Sequence, residues 1–235
     1  MTCICLRAVK YSDSQSVATL WTRELGALAA VIPSGAGREA SRRRAIMMPM
    51  RVFEAVAWTK PGRELARITD VKPVPAPMSA DPAAGTVALF VSDFLCSALR
   101  QSGPDELMSD FIFSSATHLQ SLGGTALANF HLYFLAHLGR FLGIEPDMGT
   151  YSSGAYFDMR EGRFSIAAPL HRAALPPEQA RVVAVLMRLS PRSLRLLRLS
   201  RSERNAILDA ILDYYSIHYA SMRSLASLPI LRSLF

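Results

Sequence analysis

The chain has 235 residues, half of them apolar, and its 26 Lys and Arg against 19 Asp and Glu give a net charge of +7. This length allows one or two domains whose core depends on neither disulfides nor a metal. The cysteines Cys3, Cys5 and Cys96 do not form the two close pairs of a four-ligand zinc site. No secretory signal precedes them, so we expect free thiols in a reducing cytoplasm.

The positive charge is concentrated near the beginning of the chain. Residues 1–78 hold 12 Lys and Arg against 6 Asp and Glu, whereas residues 79–235 hold 14 against 13. This asymmetry predicts an anionic partner for the first third, either nucleic acid or a membrane surface. The basic residues are mostly Arg, which suits phosphate, although a GC-rich genome would raise the Arg content as well.

Short strands are predicted in the first 78 residues. They fall at residues 4–11, 17–22, 27–32, 51–58 and 65–71. Turn residues at 12–14, 23–26 and 60–62 separate several of them. Residues 33–44 are predicted as a long basic loop that is rich in Gly, Ser and Arg. Five short antiparallel strands in about 75 residues favour a small Greek-key barrel such as an OB-fold.

A Pro-rich linker over residues 72–82 divides the chain into a barrel, residues 1–78, and a helical domain, residues 79–235. Apolar residues at three- and four-residue spacing then predict helices at 87–99, 107–119, 127–142, 177–189, 193–199, 202–219 and 225–234. Residues 144–169 predict an irregular insertion with a hairpin over residues 156–166. The expected fold class is therefore α+β, an N-terminal OB-fold barrel followed by an all-helical C-terminal domain with an insertion.

Residues 111–139 contain no Asp, Glu, Lys or Arg, which raises the question of a membrane span. A spanning helix needs roughly 20 mostly apolar residues in a row. Gly123-Gly124 splits the stretch, and polar residues such as Asn129 and His131 interrupt it. We therefore interpret it as two buried helices.

Short motifs follow one another in an order that carries a family resemblance. The first is Trp21-Thr22-Arg23-Glu24-Leu25-Gly26, followed by the basic segment 35–44 and by Met48-Pro49-Met50. The others are the helix that contains Asn129-Phe130-His131-Leu132 and ends near Gly139, the segment Ala155-Tyr156-Phe157-Asp158-Met159-Arg160-Glu161-Gly162, and the pair Tyr214-Tyr215. Together these motifs resemble the RecO family, in the variant found in Bacteroidetes-like bacteria.

The resemblance implies a non-enzymatic mediator of DNA repair and homologous recombination. RecO proteins bind single- and double-stranded DNA, anneal complementary strands and help to load recombinase on DNA coated by single-strand-binding protein, with RecR as a further partner. Many members hold a four-cysteine zinc module in the insertion, but residues 144–169 contain neither Cys nor His. We therefore expect no zinc and no other cofactor, with the insertion held by Tyr151, Tyr156, Phe157 and Phe164.

Basic residues of the barrel are the candidate DNA contacts. They are Arg7, Lys10, Arg23, Arg38, Arg42, Arg43 and Arg44. Such a set would bind mainly phosphates and show a steep salt dependence, and a merely solvated basic loop is the alternative. The aromatic residues Tyr11, Trp21, Phe53 and Trp58 are expected mostly in the core, which favours binding through the DNA backbone over base stacking.

The resemblance also implies a docking groove for the acidic, Phe-ended tail of single-strand-binding protein. Apolar walls and an Arg for the terminal carboxylate would form it. The candidates are Phe134, Leu138 and Arg140 on the central helix, and Arg195 and Arg198 further along. Ordinary core packing is the alternative explanation of the two apolar residues.

Two other functions stay open at this point. The first is a different OB-fold adaptor that binds RNA or DNA, which competition between RNA and single-stranded DNA would distinguish. The second is an enzyme with its site in a cleft between the domains. The lack of a recognisable nucleophile–base set argues against an enzyme.

Overall fold

The computed structural model describes residues 1–59, 65–75, 79, 81–100, 102–219, 222 and 224–234. The chain divides into two compact units, Met1–Ser121 and Leu122–Phe235. The predicted turn at residues 60–62 and residues 76–78 of the predicted linker lie outside the described residues.

The first unit is built on a closed five-stranded barrel. Its strands are β1 (Thr2–Lys10), β2 (Gln15–Thr22), β3 (Gly26–Pro33), β4 (Val52–Trp58) and β5 (Ala66–Pro73). They follow the order β1-β2-β3-β5-β4, and β4 pairs with β1 to close the barrel. The OB-like barrel expected from the sequence is confirmed, with one difference, because β3 and β5 pair in parallel.

Alternation along the strands separates the inside of the barrel from the outside. Cys5, Leu20, Phe53 and Ile68 point into a continuous apolar core. Cys3 also lies in this core, and burial raises the pKa of both thiols to about 12. These cysteines are therefore packed as small apolar side chains.

A helix occupies most of the segment that was predicted as a basic loop. Helix α1 spans Arg38–Ile46, so the loop prediction for residues 38–44 is wrong. Between Gly37 and Pro49 the chain contains no Gly or Pro, and its Arg and Ala residues favour helix. Ile46 and the following Met47 pack into the core of the barrel and anchor the helix there.

The motif Thr22–Gly26 forms the tight turn between β2 and β3. The Thr22 hydroxyl donates to the Gly26 carbonyl at 3.0 Å and accepts from the Leu25 N–H at 3.0 Å. Gly26 has φ +72°, and a Cβ there would lie 2.4 Å from the Gly103 backbone. Only glycine satisfies both the left-handed conformation and this close approach.

Two helices complete the first unit. They are α2 (Ala83–Ala98) and α3 (Glu106–Leu119). The indole N–H of Trp21 donates to the Ser109 hydroxyl of α3 at 3.1 Å inside the core. The first unit therefore extends beyond the barrel strands to include both helices.

Among the described residues of the second unit, four α-helices pack around a buried centre. They are α4 (Gly124–Phe141), α5 (Pro177–Arg188), α6 (Arg201–His218) and α7 (Leu228–Leu234). Pro177 lies in the first turn of α5, as predicted. The N-cap of α6 is Ser200, which forms a reciprocal capping box with Glu203. Within the described residues, no helix combines the length and apolar character needed to cross a bilayer.

The predicted helix over residues 193–199 is wrong. A 3-10 helix, Pro191–Leu196, takes its place. The Asn129 side-chain amide donates to the carbonyls of Leu194 and Leu197, at 3.2 and 2.6 Å. These carbonyls are therefore satisfied by a side chain of α4 instead of by a following α-helical turn.

The insertion forms a small three-stranded sheet. Strands β6 (Tyr156–Asp158) and β7 (Arg163–Ser165) make the predicted hairpin, and β8 (Ala174–Leu175) pairs with β6. Its aromatic core is confirmed for three residues. The Phe164 ring contacts those of Tyr151 and Phe157, with centroids 5.1 and 4.8 Å apart.

Candidate nucleic-acid interface

Helix α1 presents arginines to solvent at one side of the barrel. Arg38 and Arg42 are exposed and lie one helical turn apart, so they share a face. Neither forms an ion pair with any residue that the structure describes. Arg43 is half-buried and contacts Glu39 at 3.5 Å, and Arg44 donates to the Gly35 carbonyl at 2.9 Å. We name the exposed face with Arg38 and Arg42 the α1 surface.

A groove runs between α1 and β5. Its volume is about 500 Å³, and Arg42, Arg43 and Lys72 line it together with Glu39 and Asp70. Lys72 was missed as a candidate because the sequence does not show which strand α1 packs against. Three cations against two carboxylates leave this groove with a small positive excess.

Arg7 and Lys10 of β1 lie outside the α1 surface. Both are exposed, but Lys10 is paired with Asp13 at 2.7 Å. Burial and Asp93 raise the pKa of Cys96 on α2 to about 11, while Arg7 pulls it down. Arg7 therefore lies close to α2, whereas α1 packs on β5, and the structure does not gather the predicted residues on one surface.

Arg23 is held by α3. Its guanidinium contacts the Asp110 carboxylate at 2.5 Å and lies 5.2 Å from the centre of the Phe113 ring. These two contacts tie the turn between β2 and β3 to α3, which gives Arg23 a structural role. Arg23 is therefore less available to phosphate than the exposed Arg38 and Arg42.

The aromatic residues of the barrel divide into two classes. Trp21 and Phe53 are fully buried, as expected, but Trp58 is 63% exposed and Tyr11 is 75% exposed. The expectation that exposed aromatics are scarce is therefore wrong. The alternation along β4 already indicated that Phe53 and Trp58 face opposite sides.

The second unit separates the predicted partner residues. Phe134 and Leu138 are fully buried in its core, so in this conformation neither can form the wall of an open groove. Arg140 is exposed near the end of α4, 3.9 Å from Glu145. It follows Asn129, which contacts the 3-10 helix, by 11 residues, or about 16 Å of helix. Arg140 and the segment that carries Arg195 therefore lie towards opposite ends of α4.

Arg192 and Arg195 lie on the 3-10 helix, and Arg198 lies two residues beyond its end. All three are exposed, and none is paired with an acidic residue that the structure describes. Leu196, between two of them, is 68% exposed. An apolar side chain flanked by free guanidinium groups has the chemistry that a short acidic, apolar peptide requires.

An apolar cavity lies deeper in the same unit. It has a volume of about 30 Å³ and lies among α4, α5 and α6, next to Leu135, Phe157 and Tyr215. This is about the space of one water molecule. The cavity therefore holds no aromatic ring in this conformation. Among the described residues, no cluster of three His, Cys, Asp or Glu could hold a metal ion.

Comparison with known families covers nearly the whole chain. The family model described as Recombination protein O N terminal matches residues 1–76, and the one described as Recombination protein O C terminal matches residues 79–228. The boundary between the two models lies close to the boundary predicted from the sequence.

Relatives named DNA repair protein RecO match along nearly their full length. Those of Phocaeicola vulgatus and Porphyromonas gingivalis are 32% and 34% identical to this chain, over 235 and 238 residues. The relative of Bacteroides fragilis is 30% identical over 236 residues. Each match covers 99% of this chain and 97% of the relative. This chain therefore belongs to the RecO family of DNA repair proteins.

Proposed function

We propose that this protein is a DNA-binding mediator of recombinational repair, and that its first unit binds single- and double-stranded DNA mainly through phosphates. The α1 surface carries this proposal, because Arg38 and Arg42 are exposed, one turn apart and unpaired among the described residues. Guanidinium groups that no ion pair holds are available for bidentate contact with phosphate.

Binding through phosphate contacts is compatible with strand annealing. Contacts to phosphate fix a nucleic acid in position without reading its bases. A strand held in this way keeps its bases free to pair with a complementary strand. The net charge of +6 on residues 1–78 would also speed the encounter with DNA.

Salt dependence tests the DNA proposal. Arg38→Ala with Arg42→Ala should weaken binding of a single-stranded oligonucleotide measured by fluorescence anisotropy. The slope of log affinity against log salt should fall by about 0.7 for each lost contact. Arg100→Ala removes an exposed arginine of the first unit outside the α1 surface and is the matched control.

An unchanged slope in the double variant would remove the α1 surface from the interface. Stronger binding of an RNA of the same sequence, dependent on its 2′-hydroxyls, would favour the RNA adaptor instead. Failure of the unaltered protein to bind or anneal DNA at low salt would overturn the proposal as a whole.

For recombinase loading, we propose that the second unit binds the acidic tail of single-strand-binding protein. Arg195, Leu196 and Arg198 support this site, because they expose an apolar side chain between two cations. The fully buried Phe134 and Leu138 contribute to the core of this unit. RecR is proposed as a further partner on the family likeness alone, with no surface assigned to it.

A peptide-binding assay tests the tail site. A labelled acidic peptide that ends in Phe should bind the unaltered protein, and Arg195→Ala with Arg198→Ala should weaken it at least ten-fold. Arg181→Ala, which removes an exposed arginine of α5, should leave the affinity unchanged. Equal binding of a peptide without the terminal Phe would show that charge alone drives the contact and would argue against the site.

A further inference from the structure

Trp58 belongs to a row of side chains that crosses the outer face of the barrel. It pairs with Arg67 on β5, Arg67 pairs with Val31 on β3, Val31 with Val17 on β2, and Val17 with Val9 on β1. The strand neighbours of Arg67 occupy the barrel core, so Arg67 itself faces outward. The row therefore combines an indole, a guanidinium and three aliphatic side chains on one surface.

The ring of Trp58 is exposed and has a defined orientation. Its indole N–H donates to the Thr69 hydroxyl at 3.2 Å, while 63% of the residue remains accessible to solvent. A tryptophan has a large apolar surface, and burying it releases substantial free energy. An exposed and oriented indole is thus suited to stack on another flat ring.

A groove lies beside this row. Its volume is about 660 Å³, and it is lined by Ser14, Gln15, Val31, Pro33, Leu65, Ala66 and Arg67. This volume lies in the range of roughly 300–1,000 Å³ typical of ligand sites. None of the described residues that line it carries a carboxylate, and Arg67 forms no ion pair with any of the residues described. A groove with one unpaired cation and no acid favours an anionic ligand.

We propose that this face is a base-stacking subsite for single-stranded DNA, with Trp58 as the platform and Arg67 as the contact to the adjoining phosphate. Aromatic stacking and a basic groove together are the common means of binding single strands. The inference rests on the proposed DNA binding but concerns a surface distinct from α1. We name it the Trp58 subsite.

The subsite gives the protein a way to distinguish the two forms of DNA. In a duplex the bases are paired and stacked on one another, so their faces are not available to Trp58. The α1 surface contacts phosphates, which both forms present. Loss of Trp58 should therefore weaken the binding of single strands and spare the binding of duplexes.

Intrinsic fluorescence tests the subsite without a variant. The chain has two tryptophans, of which Trp21 is fully buried and Trp58 is exposed. An oligothymidylate should quench the emission by stacking on Trp58. An abasic oligomer of the same length offers the same phosphates and should bind without quenching.

Variants then measure the contribution of the ring. Trp58→Ala should lower the affinity for the oligothymidylate roughly ten-fold or more and change duplex affinity less than two-fold. Trp58→Phe should retain most of the affinity, because a phenyl ring still stacks. Leu107→Ala, which removes an exposed apolar side chain of α3, is the matched control and should change neither affinity.

Two outcomes would overturn the subsite while leaving the proposed function standing. One is tight binding of the oligothymidylate with unchanged tryptophan emission. The other is an equal loss of affinity for thymidylate, abasic oligomer and duplex in Trp58→Ala, which would indicate that the ring has a structural role and does not stack on bases. If the unaltered protein bound none of the three at low salt, the proposed function itself would fail.

Discussion

His131 is an imidazole fully enclosed in the core of the second unit. Burial, together with the positive charge of Arg204, lowers its pKa to about 3. Arg204 is itself buried and donates to the side-chain oxygen Oδ1 of Asn129 at 3.2 Å and to the backbone carbonyl of Leu199 at 3.0 Å. Protonation of His131 would place a second buried positive charge near Arg204, and this core therefore favours the neutral imidazole.

The folded state should lose stability as the pH falls below about 6.5. The pKa of His131 is lower in the folded chain than in the unfolded chain, so below pH 6.5 only the unfolded chain takes up the proton. The contribution of His131 to the free energy of unfolding is fully present above pH 6.5. Below that pH it falls by roughly 1.4 kcal/mol per pH unit. Urea unfolding at pH 7.5, 6.0 and 5.0 measures this slope.

The variant His131→Gln should flatten the slope, because glutamine does not titrate. His118→Gln is the control, since His118 lies near the surface of α3 in the first unit. Parallel pH profiles for the unaltered protein and His131→Gln would show that other groups cause the acid sensitivity.

At the scale of elements, the β6–β7 hairpin depends on a glycine that faces α6. Gly162 has φ +66°, and a Cβ there would lie 2.8 Å from the Tyr214 hydroxyl. Tyr214 is buried and packs on the Phe157 ring, with centroids 5.4 Å apart. The hairpin and α6 therefore meet at a position without space for a methyl group.

Gly162→Ala should cost the second unit more stability than Gly154→Ala. Gly154 also has a positive φ, +82°, but open space surrounds its missing Cβ. In the Gly154 variant, the free energy of unfolding should fall only by the conformational cost of about 1–2 kcal/mol. In the Gly162 variant, overpacking against Tyr214 should lower it by about a further 1–3 kcal/mol. Urea unfolding of both variants gives the difference, and equal losses would argue against a tight contact with Tyr214.

The sequence predicted the strands and most helices because their apolar spacing is set locally. Helix α1 was missed, since five of its nine residues are charged and its anchor, Ile46 with Met47, comes at its end. The 3-10 segment was taken for a helix because only the folded chain brings Asn129 to its carbonyls. Both errors come from contacts between residues far apart in sequence.

The candidate sites were harder to predict than the elements. Residue type identified Arg23 as a cation, but Asp110 and Phe113 come from a helix almost 90 residues further on. Conversely, Arg67 was not predicted as a DNA contact, because the sequence around it does not show that it pairs with Trp58 on the same face of the barrel. Charge can be counted from the sequence, whereas its availability depends on tertiary neighbours.

At the scale of the whole molecule, the boundary between family models and the boundary between compact units differ. The models meet between residues 76 and 79, but the first compact unit extends to Ser121. Its extra helices supply the Ser109 partner of Trp21 and the Asp110 partner of Arg23. The barrel strands thus obtain part of their support from the segment that the second model covers.

We therefore expect a fragment of residues 1–121 to fold on its own and a fragment of residues 1–78 to fail. The shorter fragment would expose the Trp21 ring to water and would lose its hydrogen bond to Ser109, which costs about 0.5–1.5 kcal/mol in addition to the lost apolar burial. It would also lose the hydrogen bond from the Ala27 N–H to the Ser102 carbonyl. Small domains have little stability to spare, so these losses should prevent a stable fold.

Urea unfolding followed by tryptophan emission and circular dichroism compares the two fragments. Residues 1–121 should show one cooperative transition, and Trp21→Phe in that fragment should lower its midpoint, because the phenyl ring cannot donate to Ser109. Residues 1–78 should show no transition. A cooperative transition of the shorter fragment at the same midpoint would mean that α2 and α3 add nothing to the barrel, and that the boundary between the family models is also the boundary of folding.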